Sequence, residues 1–331
     1  MRSRFKRGPN SHINQSQVKV KMQAGNRLGS GRQKLGQHSG TDHWVYATTN
    51  MGSKFSKIWL FRGSDFSKDG CFHFPTMDER NLGTLRNYLC NYNPPEGCGG
   101  CINILLFGMV GAGKSSVINT FLSALDPQGT TVTCVPTGNN PGSLTPELRS
   151  YGAGNLKFWD SVGWNALENP DQTKRVLQMI LEGRVPKGMK LNSFNPDSDV
   201  ANYPVIPENV IHGVAFIFDM NTVDSISEEQ INAFKELQTI VAQKYIYRVV
   251  IGTKFELLGI QEDDHEQIYE YKPLQNKFTM LSDLTGMEKR SMFVVSNQWR
   301  GDQIEMIKCI LALSALDNMI RNIDKFLKVT K

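Results

Sequence analysis

Long apolar runs are missing from this sequence. No stretch reaches the about 18 consecutive apolar residues that cross a bilayer, and the longest candidate, around Cys309–Leu313, is cut by Asp317 and Asn318. A membrane-spanning protein is therefore not expected. Cysteine is scarce, with six in 331 residues (Cys71, Cys90, Cys98, Cys101, Cys134 and Cys309), and no apolar signal segment follows the Arg-rich start. Both absences point to a reducing, cytoplasmic setting. Cys98-Gly-Gly-Cys101 has no second pair at metal-binding spacing, so two reduced thiols are expected there rather than a zinc site.

Acidic residues are nearly missing from residues 1–50, where nine Lys and Arg face Asp42 alone. The whole chain carries only +5, so the remainder is mildly acidic. Apolar periodicity is missing there as well. The Gly-, Ser-, Asn- and Gln-rich composition predicts a disordered basic extension over residues 1–57. Its aromatic residues are too sparse for base stacking, which argues against nucleic acid as a partner. Met51-Gly52-Ser53-Lys54-Phe55-Ser56 fits the pattern M-G-x-x-x-[ST]. Were Met51 a translation start, Gly52 would be a myristoylation site, and the lysines around it would favour an anionic membrane surface.

What remains is enough for one sizeable core: 40% of the residues are hydrophobic. Residues 58–97 are expected to form an arm and a helix that pack on that core. The helix runs from Met77 to Cys90, with Leu82, Leu85, Tyr88 and Leu89 inward. From residue 98 to 331 strands and helices alternate. Strands are expected at Ile102–Phe107, Asn155–Trp159, Gly213–Phe218, Arg248–Gly252 and Ser291–Val295. Helices are expected at Ser116–Leu125, Gln172–Glu182, Glu228–Lys244, Pro273–Asp283 and Asp302–Phe326. That alternation predicts an α/β fold with a doubly wound, mostly parallel sheet and helices on both faces. The Pro- and Asn-rich stretch Gly183–Asn209 is long enough to be a functional or mobile loop.

The most specific feature lies between the first strand and its helix. Gly108-Met109-Val110-Gly111-Ala112-Gly113-Lys114-Ser115 fills G-x-x-x-x-G-K-[ST], the phosphate-binding loop of P-loop NTPases, and Ser116 continues it into the helix. The glycines let backbone amides converge on phosphates, Lys114 adds a positive charge over the outer two, and the Ser115 hydroxyl can ligate Mg²⁺. Asp160-Ser-Val-Gly163 ends the next strand as D-x-x-G, placing a carboxylate near Mg²⁺ and the Gly163 amide toward a γ-phosphate. Thr253-Lys254-Phe255-Glu256 follows a later strand where guanine-binding proteins carry [NT]-K-x-D. Its Glu keeps the charge but moves it outward by about 1.5 Å, one C–C bond, so guanine preference is expected but loosened. Ser296-Asn297 ends the last strand, where a short turn touches the base. A Thr from Thr130–Thr145 should close over the metal, with Thr145 the best placed and Thr137 the second choice. Efficient GTPases carry a water-orienting Gln after the D-x-x-G glycine. This chain has Trp164 there, so intrinsic hydrolysis should be weak or absent. His212 and His265 are expected to be structural.

With these residues assembled, the chain resembles the interferon-induced protein 44 family. The resemblance is carried by Leu85-Arg-Asn-Tyr-Leu-Cys-Asn-Tyr92, by Ile104 through Ser116, by Asp160-Ser-Val-Gly163, by Gly213-Val-Ala-Phe-Ile-Phe-Asp219 and by Val294-Val-Ser-Asn297. It implies a cytoplasmic GTPase-like protein induced in innate antiviral immunity, with GTP or GDP and Mg²⁺ as cofactors and an unidentified protein partner in immune signalling. It also implies nucleotide contacts for Gly108 through Ser115 and, at the phosphate side, for Asp160 and Gly163. Some longer relatives carry a TLDc domain in front, which residues 1–76 are too short to hold. Two other functions fit the same residues: an interaction protein that keeps the fold without cycling nucleotide, and an ATP-binding P-loop protein.

Overall fold

The computed structural model describes residues 44–51, 54–61, 75–137, 147–164, 170–191, 203–260, 262–297 and 304–329. They divide into two units, one on either side of Gly70.

The first unit is a β-hairpin. β1 (Trp44–Met51) pairs antiparallel with β2 (Lys54–Phe61), from Trp44 opposite Phe61 to Met51 opposite Lys54. Here the structure differs from the disorder expected through residue 57. Trp44, Val45, Tyr46, Thr48 and Thr49 face a strand rich in Phe, Ile and Trp, the residue types that favour a pleated backbone. Averaging them with the basic stretch before them conceals this signal. Residues 1–43 and Gly52 lie outside the described residues.

The second unit opens with α1 (Glu79–Cys90), whose first turn is capped by the Asp78 side chain accepting from the Asn81 amide at 2.7 Å. A six-stranded sheet follows, built from β3 (Ile102–Gly108), β4 (Arg149–Ala153), β5 (Leu156–Asp160), β6 (Gly213–Asp219), β7 (Tyr247–Thr253) and β8 (Met292–Val294). Its order is β4-β5-β3-β6-β7-β8, and only β4 runs antiparallel to its neighbour. β4 is an edge strand that the sequence pattern did not reveal. Its residues Arg-Ser-Tyr-Gly-Ala are mostly half-buried, so they show no apolar alternation.

The connecting helices are α2 (Lys114–Leu125), α3 (Pro170–Leu181), α4 (Glu228–Gln243), α5 (Lys272–Thr285) and α6 (Met306–Val329). α4 begins with a full capping box, in which Ser227 and Gln230 satisfy each other's backbone amides. Alternate β3 residues face opposite ways. Ile102, Ile104 and Leu106 pack with α1, α2 and α6 through Leu89, Phe121 and Leu316, whereas Leu105 and Phe107 pack with α3, α4 and α5 through Ile180, Phe234 and Phe278. Helices therefore cover both faces, as in a doubly wound P-loop NTPase sheet.

This topology places the site. The chain leaves β3 to one side to make β5 and then returns to the other side to make β6. A crevice opens where those two departures diverge, at the carboxyl ends of the strands. The phosphate loop is the segment that leaves β3 at that point.

Candidate functional site

The loop is shaped by contacts that only glycine tolerates. A Cβ on Gly108 would fall 2.3 Å from the Ile217 carbonyl oxygen on β6, so the loop leaves the sheet flush against its neighbour. Gly113 has φ +93° and starts α2 with no side-chain cap, leaving the first-turn amides of that helix directed into the loop. Lys114 is 7% exposed. Its Nζ donates to the carbonyls of Gly108 at 3.2 Å and Met109 at 3.0 Å, which curls the side chain back over the loop. Burial pushes its pKa down to about 8, against an opposing pull from the Asp160 carboxylate.

Ser115 and Asp160 meet across the crevice. The Ser115 Oγ donates to Asp160 Oδ2 at 2.7 Å, and Asp160, fully buried at the end of β5, lies opposite Leu106 in the parallel ladder. A hydroxyl and a buried carboxylate in contact at the mouth of a phosphate loop are the hard oxygen donors that Mg²⁺ favours, so these two residues fit that ion. Gly163 lies directly on the loop: a Cβ there would come within 2.5 Å of both the Val110 amide nitrogen and its Cγ2. Trp164 is buried in the same apolar cluster as Phe107 and Val162. Thr145 lies outside the described residues, and the alternative, Thr137, is exposed.

The residues expected on the base side converge on the same loop. The Thr253 hydroxyl, at the end of β7, donates to the Ala112 carbonyl at 2.7 Å and lies 3.2 Å from that of Phe218, tying β6 and β7 to the phosphate loop. Lys254 adopts a left-handed backbone (φ 56°), a conformation that costs a non-glycine residue about 1–2 kcal/mol; its Nζ pairs with Asp219 Oδ2 at 2.7 Å. Glu256 is the second residue of the short 3₁₀ turn Phe255–Leu258. One of its carboxylate oxygens accepts from the Ser296 hydroxyl, and the other, Oε2, is buried with no hydrogen-bond partner among the described residues. Asn297 lies 2.8 Å from the Thr120 hydroxyl on α2 through its Oδ1, while its Nδ2 faces Gly113. The structure thus brings together Gly108 through Ser116, Asp160, Gly163, Thr253, Lys254, Glu256, Ser296 and Asn297. Asp219 and Thr120 had not been singled out. Asp219 could have been noticed as the terminal carboxylate of an apolar strand, but nothing local marks a threonine inside a helix.

The other sequence candidates have structural roles. His212 accepts the Asn103 amide through Nδ1 at 2.9 Å, and burial lowers its pKa to about 4. His265 is buried against the Phe255 ring. Cys98 and Cys101 are not joined in a disulfide, and no cluster of metal-ligating side chains occurs among the described residues. No described helix is long and apolar enough to cross a membrane.

No protein-family model matches the chain. Interferon-induced protein 44 of Mus musculus is 28% identical over 237 residues, covering 68% of this chain and 55% of that protein. Interferon-induced protein 44-like of Homo sapiens is 26% identical over 240 residues, 69% of this chain and 52% of that protein. Human interferon-induced protein 44 is 25% identical over 273 residues, 76% of this chain and 61% of that protein. The chain therefore spans little more than half the length of the curated relatives it matches. Among solved structures, a probable GTP-binding protein engB covers 67% of this chain and 98% of its own at 15% identity, with a TM-score of 0.40. Over the stretch it shares with them, this chain is a homologue of the interferon-induced protein 44 proteins.

Proposed function

We propose that this chain binds a guanine nucleotide together with Mg²⁺ and acts in the interferon-linked innate immune response, in the cytoplasm, with weak or absent intrinsic hydrolysis. The observation that carries the nucleotide assignment is a buried carboxylate oxygen without a hydrogen-bond partner among the described residues, Glu256 Oε2, at the strand edge that also presents the phosphate loop. An acceptor desolvated in that way is costly unless a ligand supplies a donor. Guanine offers two neighbouring N–H donors on one edge, whereas adenine offers no such pair.

The phosphates would lie on the amides of Gly108 through Ser116, under Lys114, with the Gly163 amide toward the γ-phosphate. Ser115 and Asp160 would hold Mg²⁺, which offsets phosphate charge when bound. Trp164 carries only an indole N–H donor, with no acceptor to take up a proton from an attacking water, and it is buried in the apolar cluster of Phe107 and Val162, which supports slow turnover or a group supplied by a protein partner. The immune assignment rests on the names of the relatives. Membrane-surface contact through an acylated Gly52 belongs to the proposal only for a product that starts at Met51.

Chromatography of nucleotide released from freshly purified, denatured protein, followed by fluorescent GTP titration, tests this. Micromolar GTP binding that Lys114→Ala abolishes is the expected result. Indifference to that substitution would leave a protein that keeps the fold without using nucleotide, and equal competition by ATP would make it an ATP-binding protein.

A further inference from the structure

Ser296 and Asn297 are neighbours, yet their side chains go to different parts of the site. Ser296 holds the base-side carboxylate of Glu256. Asn297 reaches Thr120, whose hydroxyl lies 2.8 Å from Asn297 Oδ1 and 3.0 Å from the Ser116 carbonyl one turn earlier on α2. Thr120 is fully buried, so solvent does not compete for that hydroxyl. The other end of the Asn297 amide lies against the phosphate loop: a Cβ built on Gly113 would meet Asn297 Nδ2 at 3.3 Å and Thr253 Oγ1 at 3.5 Å. The last loop glycine is therefore flanked by two polar side chains, one from the end of β7 and one from the segment just past β8.

We propose that the Asn297 side chain is a positioning residue that holds the phosphate loop, through Thr120 and Gly113, to the segment that reads the base. Through this link, seating the base fixes the loop that takes the triphosphate, and Asn297 serves phosphate affinity although it lies in the base-side turn. The proposal rests on the guanine-nucleotide function above and assigns a different role within it: the side chain acts on the loop rather than on the base.

A ligand without a base separates the two roles. Affinities of the full chain for GTP and for inorganic tripolyphosphate, each with Mg²⁺, would be measured calorimetrically for wild type, Asn297→Ala, Thr120→Val and the double variant. Loss of one buried neutral hydrogen bond corresponds to about a fivefold weakening. Each single variant is expected to lose about that much for tripolyphosphate and at least as much for GTP. The double variant should be no worse than either single one, because both substitutions break the same link. Thr120→Ser, which keeps the hydroxyl, should recover most of what Thr120→Val loses. Should Asn297→Ala not fold, Thr120→Val carries the same comparison. Tripolyphosphate affinity unchanged in both single variants, or a loss confined to GTP, would overturn the coupling and leave the nucleotide function standing. A wild-type chain that binds neither ligand would overturn both.

Discussion

A triphosphate site needs the positive charge of Lys114, and burial already opposes that charge. Its pKa is pushed down to about 8, because desolvation outweighs the attraction of Asp160. In the unfolded chain the same amine titrates at its ordinary value near 10.5. The folded state is therefore penalised while pH lies below about 8. The penalty is relieved as pH rises toward the unfolded value, because in that window the unfolded chain binds the extra proton; over the whole range it amounts to about 3 kcal/mol. A bound triphosphate acts in the opposite direction: its negative charge stabilises the ammonium and raises the pKa again.

Nucleotide binding should then take up a proton wherever the free chain has lost one. With a free value of about 8, uptake grows from about 0.1 proton at pH 7 to about 0.9 at pH 9, and the apparent affinity falls about tenfold over the same interval. Calorimetric titration with GTP and Mg²⁺ in pairs of buffers that differ in ionisation enthalpy measures the uptake directly. Uptake that is the same at both pH values would refute this account, since Lys114 would then either stay charged without ligand or not meet the phosphates.

Three further outcomes follow from other contacts. Glu256→Gln keeps the size of the side chain but replaces a charged acceptor. GTP affinity should fall about tenfold or more in competition against a fluorescent nucleotide, ATP affinity should not, and equal losses for both would remove Glu256 from the base site. Gly163→Ala places a methyl within 2.5 Å of the Val110 backbone, so denaturant unfolding should show a stability loss of about 1–3 kcal/mol; an unchanged midpoint would mean that the loop moves aside freely. Asn103, fully buried in β3, accepts from Trp159 Nε1 and donates to the carbonyls of Glu208 and Val210. Asn103→Leu should cost about 2–3 kcal/mol in urea unfolding by leaving those groups unpaired, and a cost below about 0.5 kcal/mol would show that they find other partners.

The phosphate loop was legible because its chemistry is local. Gly108, Gly113, Lys114 and Ser115 act through backbone freedom, one charge and one hydroxyl at fixed spacing, and each property belongs to the residue itself. The strands β3, β6 and β7 were legible because a sheet covered on both faces needs nearly continuous apolar runs. β4 was not, because an edge strand keeps partial solvent contact and its half-buried Arg149–Ala153 shows neither alternation nor an apolar run. The hairpin Trp44–Phe61 was obscured by the basic composition that precedes it, although its own residues favour strands.

By itself, the sequence determined the alternation of strands and helices, the phosphate loop, and the order in which D-x-x-G, Thr253–Glu256 and Ser296-Asn297 follow it, because periodicity and motif spacing are properties of a line of residues. Only the tertiary structure decided that Ser115 meets Asp160, that Ser296 takes one oxygen of Glu256 and leaves the other buried, and that Asn297 reaches a threonine 177 positions away. Those pairings depend on strand order. The β5-β3-β6-β7-β8 arrangement brings the carboxyl ends of separate strands to one edge, and no local pattern encodes which side chains meet once they arrive there.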